Sequence, residues 1–364
     1  MSGTSLDGVD AVLARFDHSG KPSVLARAEQ TFPEALRTEF LLLNQSGDDE
    51  LARAALAANE LSRIYANVVK ATLKSAGLKC EQINAIGAHG QTVRHQPALG
   101  YTIQLNAPAL LAELTNINVI ADFRSRDIAA GGQGAPLVPF FHAGVFGSDQ
   151  TRVILNLGGI ANITVLTPGQ VPVGFDTGPA NVLMDAWCFK HTGQLFDQNG
   201  AWGSTGAVHD GLLSHLIESE PWFALPAPKS TGRDLFHAEW IESRLASFQS
   251  HHRAVERISA NDVQATLCAL TAQTVSLAVS KYAPALEDLL VCGGGARNQA
   301  LLNELQSRID CLVATTNSVG IGTQDVEALA FAWLAWAHDR RLSVSHPAVT
   351  GAQGARILGA TWPA

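Results

Sequence analysis

The sequence of 364 residues predicts an α/β protein of two domains, on the basis of three observations. Short apolar runs rich in Val, Ile and Leu alternate with long helical patterns, which is typical of α/β architecture. Hydrophobic residues make up 46% of the chain and charged residues 16%, so that there is ample apolar material for large cores. At roughly 100–200 residues per domain, the length indicates two domains, or three at the lower end of that range.

The predicted strands are short apolar segments of the kind that a sheet buries. They are Ala11–Phe16, Ile83–Ala88, Tyr101–Leu105, Asn118–Ala121, Arg152–Asn156, Asn162–Leu166, Val171–Phe175, Leu289–Cys292 and Cys311–Ala314. Helical spacing runs over residues 49–76, 261–283 and 325–339. Gly77 stops the first of these patterns and Pro284 stops the second, as helix-ending residues do.

Two glycine turns that each open an apolar strand suggest an internal repeat. The turn at Gly3–Gly8 leads into Val9–Phe16, and the turn at 156–159 leads into Ile160–Leu166. The second turn also follows a good strand, Arg152–Leu155. Two copies of one β-hairpin indicate two related α/β lobes, and chance similarity of glycine turns is the alternative.

The composition argues against several classes of protein. Lys and Arg number 25 and Asp and Glu number 33, so the net charge is −8, which disfavours binding to nucleic acid or to an anionic membrane. We expect no signal peptide and no membrane span, because the amino-terminal segment lacks a basic and an apolar region and no apolar run reaches about 18 residues. Five cysteines without a C-x-x-C motif indicate neither a disulfide framework nor a zinc site, and favour a cytoplasmic location.

Common catalytic motifs are missing from the sequence. There is no P-loop motif, and neither Gly131–Gly134 nor Gly293–Gly295 extends to G-x-G-x-x-G. The segment Gly3–Asp7 has an aspartate where a nucleophile elbow needs glycine, which disfavours a serine hydrolase. No H-E-x-x-H motif occurs, so a zinc peptidase is disfavoured as well.

Glycine-rich turns beside strands can bring backbone N–H groups close to a phosphate. Such turns occur at Gly3–Asp10, at Gly158–Gly159 and at Gly293–Gly295. In the first, Asp7 and Asp10 could hold Mg²⁺ directly or through water. The third lies between a strand and a helix, where a flat ring could rest on the backbone. A plain hairpin is the alternative for any one of these turns.

Two carboxylates stand out from their surroundings. Asp176 follows a predicted strand that ends at Phe175 and precedes Pro179, which we place at the start of a helix. The carboxyl end of a strand is where open α/β sheets hold ligands; the alternative is a helix N-cap, worth about 0.5–2 kcal/mol. Glu327 lies on an apolar helix and needs a partner or a ligand, unless it is simply a first-turn acid.

Two polar clusters follow predicted strands and have the character of sugar- or carboxylate-binding loops. Their candidate residues are His89, Gln91, Thr92, Arg124, Arg126 and Asp127. A guanidinium clamps a carboxylate through two parallel hydrogen bonds, which favours the arginines as anion ligands. A lone buried histidine is more often structural than functional, and that alternative stays open for His89.

Long blocks of the chain resemble the anhydro-N-acetylmuramic acid kinases. The blocks are MSGTSLDGVD, AIGAHGQTVRH, DFRSRDIAAGGQGAPLVPFFH, LNLGGIANIT, GFDTGPANVLMDAW, APKSTGRDLF, VCGGGARN, DVEALAFAWLAW and VTGAQGARILGA. The resemblance covers nearly the whole chain. It implies the fold of the sugar kinase, heat-shock chaperone and actin superfamily, with two RNase-H-like (actin-like ATPase) lobes and an active-site cleft between them. The expected lobes are residues 1–125 plus 345–364 and residues 126–344.

The resemblance also implies a reaction. ATP and water convert 1,6-anhydro-N-acetylmuramic acid to N-acetylmuramic acid 6-phosphate and ADP, in recycling of the bacterial cell-wall peptidoglycan. It implies ATP and Mg²⁺ as cofactors, a small amino-sugar substrate and a cytoplasmic homodimer. Two alternatives stay open: a kinase for another amino sugar or an ordinary hexose, and a non-catalytic actin-like nucleotide switch.

Residue roles follow from the motifs that match. The resemblance makes Asp176 the catalytic base, places Glu327 near the sugar, and directs Arg124 or Arg126 to the lactyl carboxylate. His89, Gln91, Thr92, Arg124, Arg126 and Asp127 become substrate-side groups. The ATP-binding residues would be Gly3, Thr4, Ser5, Leu6, Asp7, Gly8, Val9, Asp10, Gly158, Gly159, Gly293, Gly294 and Gly295, with Asp7 as the candidate metal ligand.

In similar proteins a short apolar strand precedes the segment that corresponds to Met1–Gly8. A matching strand, Arg152–Leu155, precedes the second hairpin of this chain. We expect the phosphate loop to be weaker without that pairing, and a chain extended by the strand to be more stable or more active.

Overall fold

The computed structural model describes residues 1–3, 6–251 and 258–364 of the chain. Its strands are β1 (Gly8–Phe16), β2 (Pro22–Thr31), β3 (Ile86–Ala88), β4 (Gln91–Gln96), β5 (Tyr101–Leu105), β6 (Val119–Ala121), β7 (Thr151–Leu157), β8 (Ile160–Leu166), β9 (Val173–Pro179), β10 (Leu286–Cys292), β11 (Leu312–Thr315) and β12 (Ala360–Trp362). Its α-helices are α1 (Glu34–Leu43), α2 (Glu50–Ala76), α3 (Pro108–Thr115), α4 (Ser125–Ala129), α5 (Val138–Phe146), α6 (Asn181–Thr192), α7 (Asp210–Glu218), α8 (Ala238–His251), α9 (Ala260–Tyr282), α10 (Gln299–Arg308), α11 (Val326–Asp339) and α12 (Pro347–Thr350).

The chain forms two compact units. Unit 1 comprises Met1–Phe146 and Asp325–Ala364, and unit 2 comprises Gly147–Gln324. Helices α5 and α11 both belong to unit 1, where the rings of Phe141 and Trp333 lie 6.2 Å apart. The lobes predicted from the sequence instead assign the residues of both helices to the second lobe, and those lobe bounds stay a prediction.

Unit 2 is built on one five-stranded sheet in the order β11-β10-β7-β8-β9. Strands β7, β8 and β9 are antiparallel neighbours, whereas β10 runs parallel to both β7 and β11. Val153, Ile154 and Leu155 of β7 are consecutive and fully buried. Both faces of β7 are therefore covered, which explains its continuous apolar run. This mixed sheet agrees with the predicted α/β, RNase-H-like lobe.

Helix α9 is the central helix of unit 2. Ser259 caps its start by accepting a hydrogen bond from Asp262 N–H. Within the part of the chain that the structure describes, α9 is the one helix long and apolar enough to cross a membrane, judged by length and composition only. Most of its apolar window is buried inside the fold, and it contacts α10, α7 and β9.

The described residues of unit 1 form three small sheets. They are the hairpin β1–β2, the sheet β12-β6-β3 and the hairpin β4–β5. Helix α2 packs on β1 and β2, and α11 packs on β1 and β3. A Cβ on Gly87 would collide with the carbonyl oxygen of Phe331, so that only glycine allows α11 to approach β3 this closely.

The structure differs from the sequence prediction in several elements. Strands β2, β4 and β12 were not predicted, and β4 occupies the segment that we expected to be a polar loop. The prediction that a strand ends at Phe175 and a helix starts at Pro179 is wrong. Strand β9 continues to Pro179, which pairs with Ile160, and α6 starts at Asn181. Pairing with β8 overrides the local signal that proline gives.

Two leucines of α9 allow the contribution of core packing to the free energy of unfolding to be measured apart from that of helix propensity. Leu270 is fully buried, whereas Leu277 on the same helix is 52% exposed. We expect Leu270→Ala to lower the free energy of unfolding by about 2–5 kcal/mol, because it removes buried apolar atoms and leaves a cavity. We expect Leu277→Ala to change it by no more than about 0.5 kcal/mol. Urea unfolding followed by circular dichroism measures both, and equal effects of the two variants would contradict this view of the core.

Candidate functional site

The first glycine-rich turn is shorter than the sequence suggests. Strand β1 begins at Gly8, so that Gly8, Val9 and Asp10 pair with β2, and Val9 is buried in the core. Leu6 has a left-handed backbone with φ of +59° and closes a turn onto the carbonyl of Gly3. Of the expected loop residues, Gly3, Leu6 and Asp7 thus precede the strand, and Thr4 and Ser5 lie outside the described residues.

Acidic side chains gather where β1 and α11 meet. Desolvation raises the pKa of Glu327, and the negative charges of Asp10 and Asp7 act in the same direction. Desolvation likewise raises the pKa of Asp10, opposed by the amine of Met1 and assisted by Asp7. Glu327 is exposed as a residue. Its carboxylate is nevertheless surrounded by enough protein to be desolvated. Like-charged carboxylates in one place favour binding of a cation.

His89 and Arg124 form a buried polar pair in unit 1. His89 is 6% exposed, and its Nδ1 lies 3.1 Å from the carbonyl oxygen of Ser2. Its Nε2 lies 3.0 Å from Nη2 of Arg124. Desolvation and then the charge of Arg124 hold the pKa of His89 well below its usual value. The imidazole is therefore neutral, with Nδ1–H donating to Ser2 and Nε2 accepting from Arg124.

Arg124 is a desolvated cation whose N–H donors are only partly used by hydrogen bonds within the protein. Its Nη1 donates to the carbonyl of Gly134 at 2.8 Å, and desolvation lowers its pKa to about 10. Among the described residues, no carboxylate forms an ion pair with it. A guanidinium has five N–H donors, so this one retains capacity for an anionic ligand.

The other substrate-side candidates have different surroundings. Asp127 is fully buried, and its carboxylate accepts hydrogen bonds from Gly134 N–H at 2.8 Å and Thr350 Oγ1 at 2.7 Å. The carbonyl of Gly134 also accepts the hydrogen bond from Arg124. Asp127 therefore helps to position the backbone that Arg124 contacts. Arg126 is exposed. The remaining two are the first residues of β4: Gln91 Nε2 donates to the carbonyl of Gly3 at 3.1 Å, and Thr92 Oγ1 accepts from Gln104.

In unit 2, Asp176 lies within β9, and residues 229–231 form hydrogen bonds with both its backbone and its side chain. We call residues 229–231 the bracketing segment, and these contacts the bracket. Its N–H donates to the carbonyl of Lys229 at 3.0 Å, and Thr231 N–H donates to its Oδ2 at 2.9 Å. Desolvation raises the pKa of Asp176, whereas the bonds from Thr231 N–H and the Ser230 side chain oppose that rise. Asp176 does not cap α6, whose N-cap is Ala180, so the N-cap alternative is wrong.

The bracketing segment is itself anchored by Lys229. Its Nζ donates to the carbonyls of Trp222 and Phe223 at 3.2 and 2.9 Å, and it lies 4.1 Å from the centre of the Trp222 ring. Motif reasoning alone missed this role, because a lysine between a proline and a serine carries no local signal of a contact with Asp176.

The two other glycine turns pack against each other at the end of β7. A Cβ on Gly293 would collide with Asn156 Oδ1, and one on Gly295 would lie 2.7 Å from the Cβ of Leu157. Gly294 has nothing nearer than 3.7 Å. The carbonyls of Gly158 and Gly159 accept from the first N–H groups of α6. The turn at Gly293–Gly295 thus lies against the end of β7, and Gly294 is the glycine of that turn with space beside it.

A cavity of about 250 Å³ lies within unit 2. Gly200, Gly203, Gln264 and Asn298 are among its lining residues. Gln264 is 2% exposed, and its Oε1 has no hydrogen-bond partner among the described residues. A buried acceptor of this kind calls for a donor on a ligand or water. No sequence motif marked this cavity, since its walls come from separate segments.

Comparison with known proteins identifies related sequences along the whole chain. The family of anhydro-N-acetylmuramic acid kinases matches residues 1–364. A protein of that name from Bordetella petrii is 59% identical over 364 residues, covering 100% of this chain and 95% of the relative. Another from Chromobacterium violaceum is 51% identical over 365 residues, covering 100% and 98%. Among solved structures, the activator of 2-hydroxyisocaproyl-CoA dehydratase from Clostridium difficile is 13% identical, with a TM-score of 0.44 over 92% of this chain and 96% of that one.

The bracket around Asp176 can be tested through its pKa. We expect Lys229→Met to raise the pKa of Asp176 further, because loosening the segment weakens the bond from Thr231 N–H that stabilises the charged carboxylate. Lys190→Met is the matched control, since Lys190 also lies over a tryptophan ring but pairs with Glu242 on an exposed surface. Carbon-13 titration of labelled aspartate measures the pKa. An unchanged value in Lys229→Met would show that Lys229 does not support the bracket.

Proposed function

The chain belongs to the anhydro-N-acetylmuramic acid kinase family, and from this premise we propose the reaction and the residues that carry it. The enzyme phosphorylates O6 of 1,6-anhydro-N-acetylmuramic acid with ATP while water opens the anhydro ring. The products are N-acetylmuramic acid 6-phosphate and ADP, in peptidoglycan recycling. The observation that supports the assignment best is the bracketed carboxylate of Asp176 in a chain that matches the family throughout.

Asp176 acts as the general base in this proposal. Water is a poor nucleophile at neutral pH, so that it must lose a proton to Asp176 as its oxygen bonds to C1. The C1–O6 bond then breaks, and the freed O6 attacks the γ-phosphorus of ATP in line as ADP leaves. Desolvation suits Asp176 to the task, because a raised pKa makes a carboxylate a stronger base. A positioned base contributes about 10²–10⁴-fold to the rate.

Arg124 binds the lactyl carboxylate of the sugar in this proposal. Its unused donors and its lack of an ion pair among the described residues support that role. Neutral His89 accepts from Arg124 and thereby orients the guanidinium, and Asp127 acts behind it through Gly134. Arg126, Gln91, Thr92 and Glu327 complete the sugar-side set.

The ATP phosphates lie on the backbone of the glycine turns in this proposal. Gly3, Thr4, Ser5, Leu6 and Asp7 form the first phosphate loop, with Gly8, Val9 and Asp10 continuing it into β1. Gly158 and Gly159 form the second, and Gly293–Gly295 carry the adenosine. The unpartnered Oε1 of Gln264 is suited to accept a hydrogen bond from the amino group of the adenine base.

We also propose that Mg²⁺ binds on the acidic side of β1. Asp7 is the first candidate ligand and Asp10 the second, and carboxylate oxygens are hard donors that fit this ion. When bound, Mg²⁺ neutralises charge on the transferred phosphoryl group. Asp10 fits a cation site further because neighbouring carboxylates raise its pKa, in addition to desolvation.

A cytoplasmic homodimer is the proposed working form. The free cysteines at positions 80, 188, 268, 292 and 311 suit a reducing compartment. Phe189, Leu195 and Phe196 leave apolar side chains exposed near the end of α6, which supports an interface with a second copy.

Reaction in oxygen-18 water tests the proposed chemistry directly. We incubate the protein with ATP, Mg²⁺ and 1,6-anhydro-N-acetylmuramic acid, and analyse the product by mass spectrometry. We expect a 6-phosphate sugar with one solvent oxygen at C1, because water supplies the new hydroxyl. Phosphorylation without solvent oxygen would instead favour a kinase for an ordinary hexose. ATP hydrolysis that is indifferent to sugar would favour a nucleotide switch.

Substitution of Asp176 tests its assignment as the general base. We expect Asp176→Asn to reduce turnover by at least about 10²-fold while binding of ATP and sugar persists, because asparagine cannot take the proton from water. Asp149→Asn, an exposed aspartate of the same unit, is the control and keeps its turnover. Calorimetric titration checks binding and a coupled assay checks turnover. Near-normal turnover of Asp176→Asn refutes the assignment.

A further inference from the structure

The glycine-rich loop Gly131–Gly134 lies between α4 and α5 in unit 1 and connects two buried polar side chains. The carbonyl of Gly134 accepts a hydrogen bond from Nη1 of Arg124 at 2.8 Å. The N–H of the same residue donates to Oδ2 of Asp127, also at 2.8 Å. One residue of backbone therefore links the guanidinium of Arg124 to the carboxylate of Asp127.

The carboxylate of Asp127 is held by neutral donors. Asp127 is fully buried, and no cationic side chain among the described residues forms an ion pair with it. Besides the N–H of Gly134, it accepts a hydrogen bond from the hydroxyl of Thr350, whose Oγ1 lies 2.7 Å from its Oδ1. A buried carboxylate without a counter-ion depends on its hydrogen bonds. Loss of either donor should therefore displace this side chain.

Thr350 belongs to the carboxy-terminal segment, 223 positions along the chain from Asp127. It is 1% exposed. Two backbone hydrogen bonds also join this segment to the loop: Gln133 N–H donates to the carbonyl of Thr350 at 2.7 Å, and Gln353 N–H donates to the carbonyl of Ala130 at 2.8 Å. Removal of the Thr350 hydroxyl would leave these backbone contacts possible, so the side-chain contact can be tested separately.

The guanidinium of Arg124 is held at two of its edges. Its Nε and Nη2 lie 3.3 and 3.0 Å from Nε2 of His89, and its Nη1 donates to Gly134. Three of the five N–H donors are thus used, and one remains on each Nη. Because the group is planar, contacts at two edges set both its position and its orientation. A shift of Gly134 would therefore change where the two remaining donors point.

We propose that Thr350 is a positioning residue for binding of the sugar carboxylate. Through Asp127 and Gly134 it fixes the guanidinium of Arg124, so that the carboxy-terminal segment sets the affinity of unit 1 for a substrate that carries a carboxylate. This inference rests on the proposed function, in which Arg124 binds the lactyl group. It assigns the loop Gly131–Gly134 to the sugar side of the reaction.

Replacement of Thr350 by valine tests this role, because valine has a similar shape and lacks the hydroxyl. We expect Thr350→Val to raise the KM for the anhydro sugar at least about fivefold, the size of one lost hydrogen bond. We expect kcat to stay within about twofold, because the lactyl carboxylate takes no part in bond cleavage and its binding is equal in the ground and transition states. The KM for ATP should not change. Thr350→Ser keeps the hydroxyl and should restore the KM for the sugar.

Thr115→Val is the matched control in the same unit. Thr115 is also buried, and its Oγ1 donates to the carbonyl of Leu111 at 2.7 Å within α3. We expect this variant to leave both constants for the sugar unchanged. Equal increases of KM in the two valine variants would reflect a general loss of stability and overturn the proposal. If Thr350→Val does not fold, Thr350→Ala replaces it, with the same expected result.

Amide hydrogen exchange tests the route through Gly134 without any substrate. The bond to Asp127 protects the N–H of Gly134, so we expect Thr350→Val to speed its exchange at least about tenfold. Thr115→Val should leave it unchanged. An unchanged exchange rate at Gly134 in Thr350→Val overturns the proposed route whatever happens to the KM. An unchanged KM overturns the role of Thr350 whatever happens to the exchange.

Arg124→Gln distinguishes failure of this inference from failure of the proposed function. We expect it to raise the KM for the sugar by more than Thr350→Val does, because it removes the cation itself. If Arg124→Gln raises the KM and Thr350→Val does not, Thr350 is not a positioning residue, and the assignment of Arg124 stands. If Arg124→Gln leaves the KM unchanged, Arg124 does not bind the carboxylate, and both the assignment and the inference are wrong.

Discussion

Backbone pairing along both edges of a buried strand is the constraint on which this structure depends. Buried N–H and C=O groups must be paired, and β7 meets that requirement by bonding to β8 on one side and β10 on the other. The pairing brings the glycine turn that follows β10 against Asn156 and Leu157 at the end of β7, where only glycine leaves room at positions 293 and 295. It also carries β9 alongside β8, so that Asp176 lies at a defined place in a rigid sheet.

Desolvation is the second physical theme, and it acts with opposite sign on acids and bases. It raises the pKa of Asp176 and of Glu327 and lowers that of Arg124 and His89. Asp176, Arg124 and His89 each also have a hydrogen-bond partner that fixes their orientation. The protein therefore holds charged and neutral donors in place before any ligand arrives, which is how preorganised sites reduce the reorganisation that a reaction needs.

Much of the fold could be predicted from local pattern, and the exceptions have a common cause. The three long helices begin and end within a residue or two of the predicted bounds, because their periodicity and stop signals are local. Strand β4 was not predicted because its residues are largely polar and give no apolar strand pattern. Pairing with β5, which follows after a turn, makes this segment a strand. Strand β9 continues to Pro179 because pairing with β8 outweighs the preference of one residue. In the candidate site, the sequence marked Asp176 because it follows the predicted strand that ends at Phe175. Lys229 and Gln264 belong to no sequence motif, and their roles become visible only with their spatial neighbours.

The sequence by itself determined the α/β class, the positions of the long helices, and the glycine and carboxylate residues of the candidate site. Its long motif blocks also indicate the family. Only the tertiary structure decided which groups are desolvated and which donor faces which acceptor. The physical reason is that pKa values, hydrogen-bond partners and packing space depend on residues far apart in the chain, such as Asp176 with Thr231 and Asp127 with Thr350. A linear pattern records the chemistry of a side chain, and the fold supplies its neighbours.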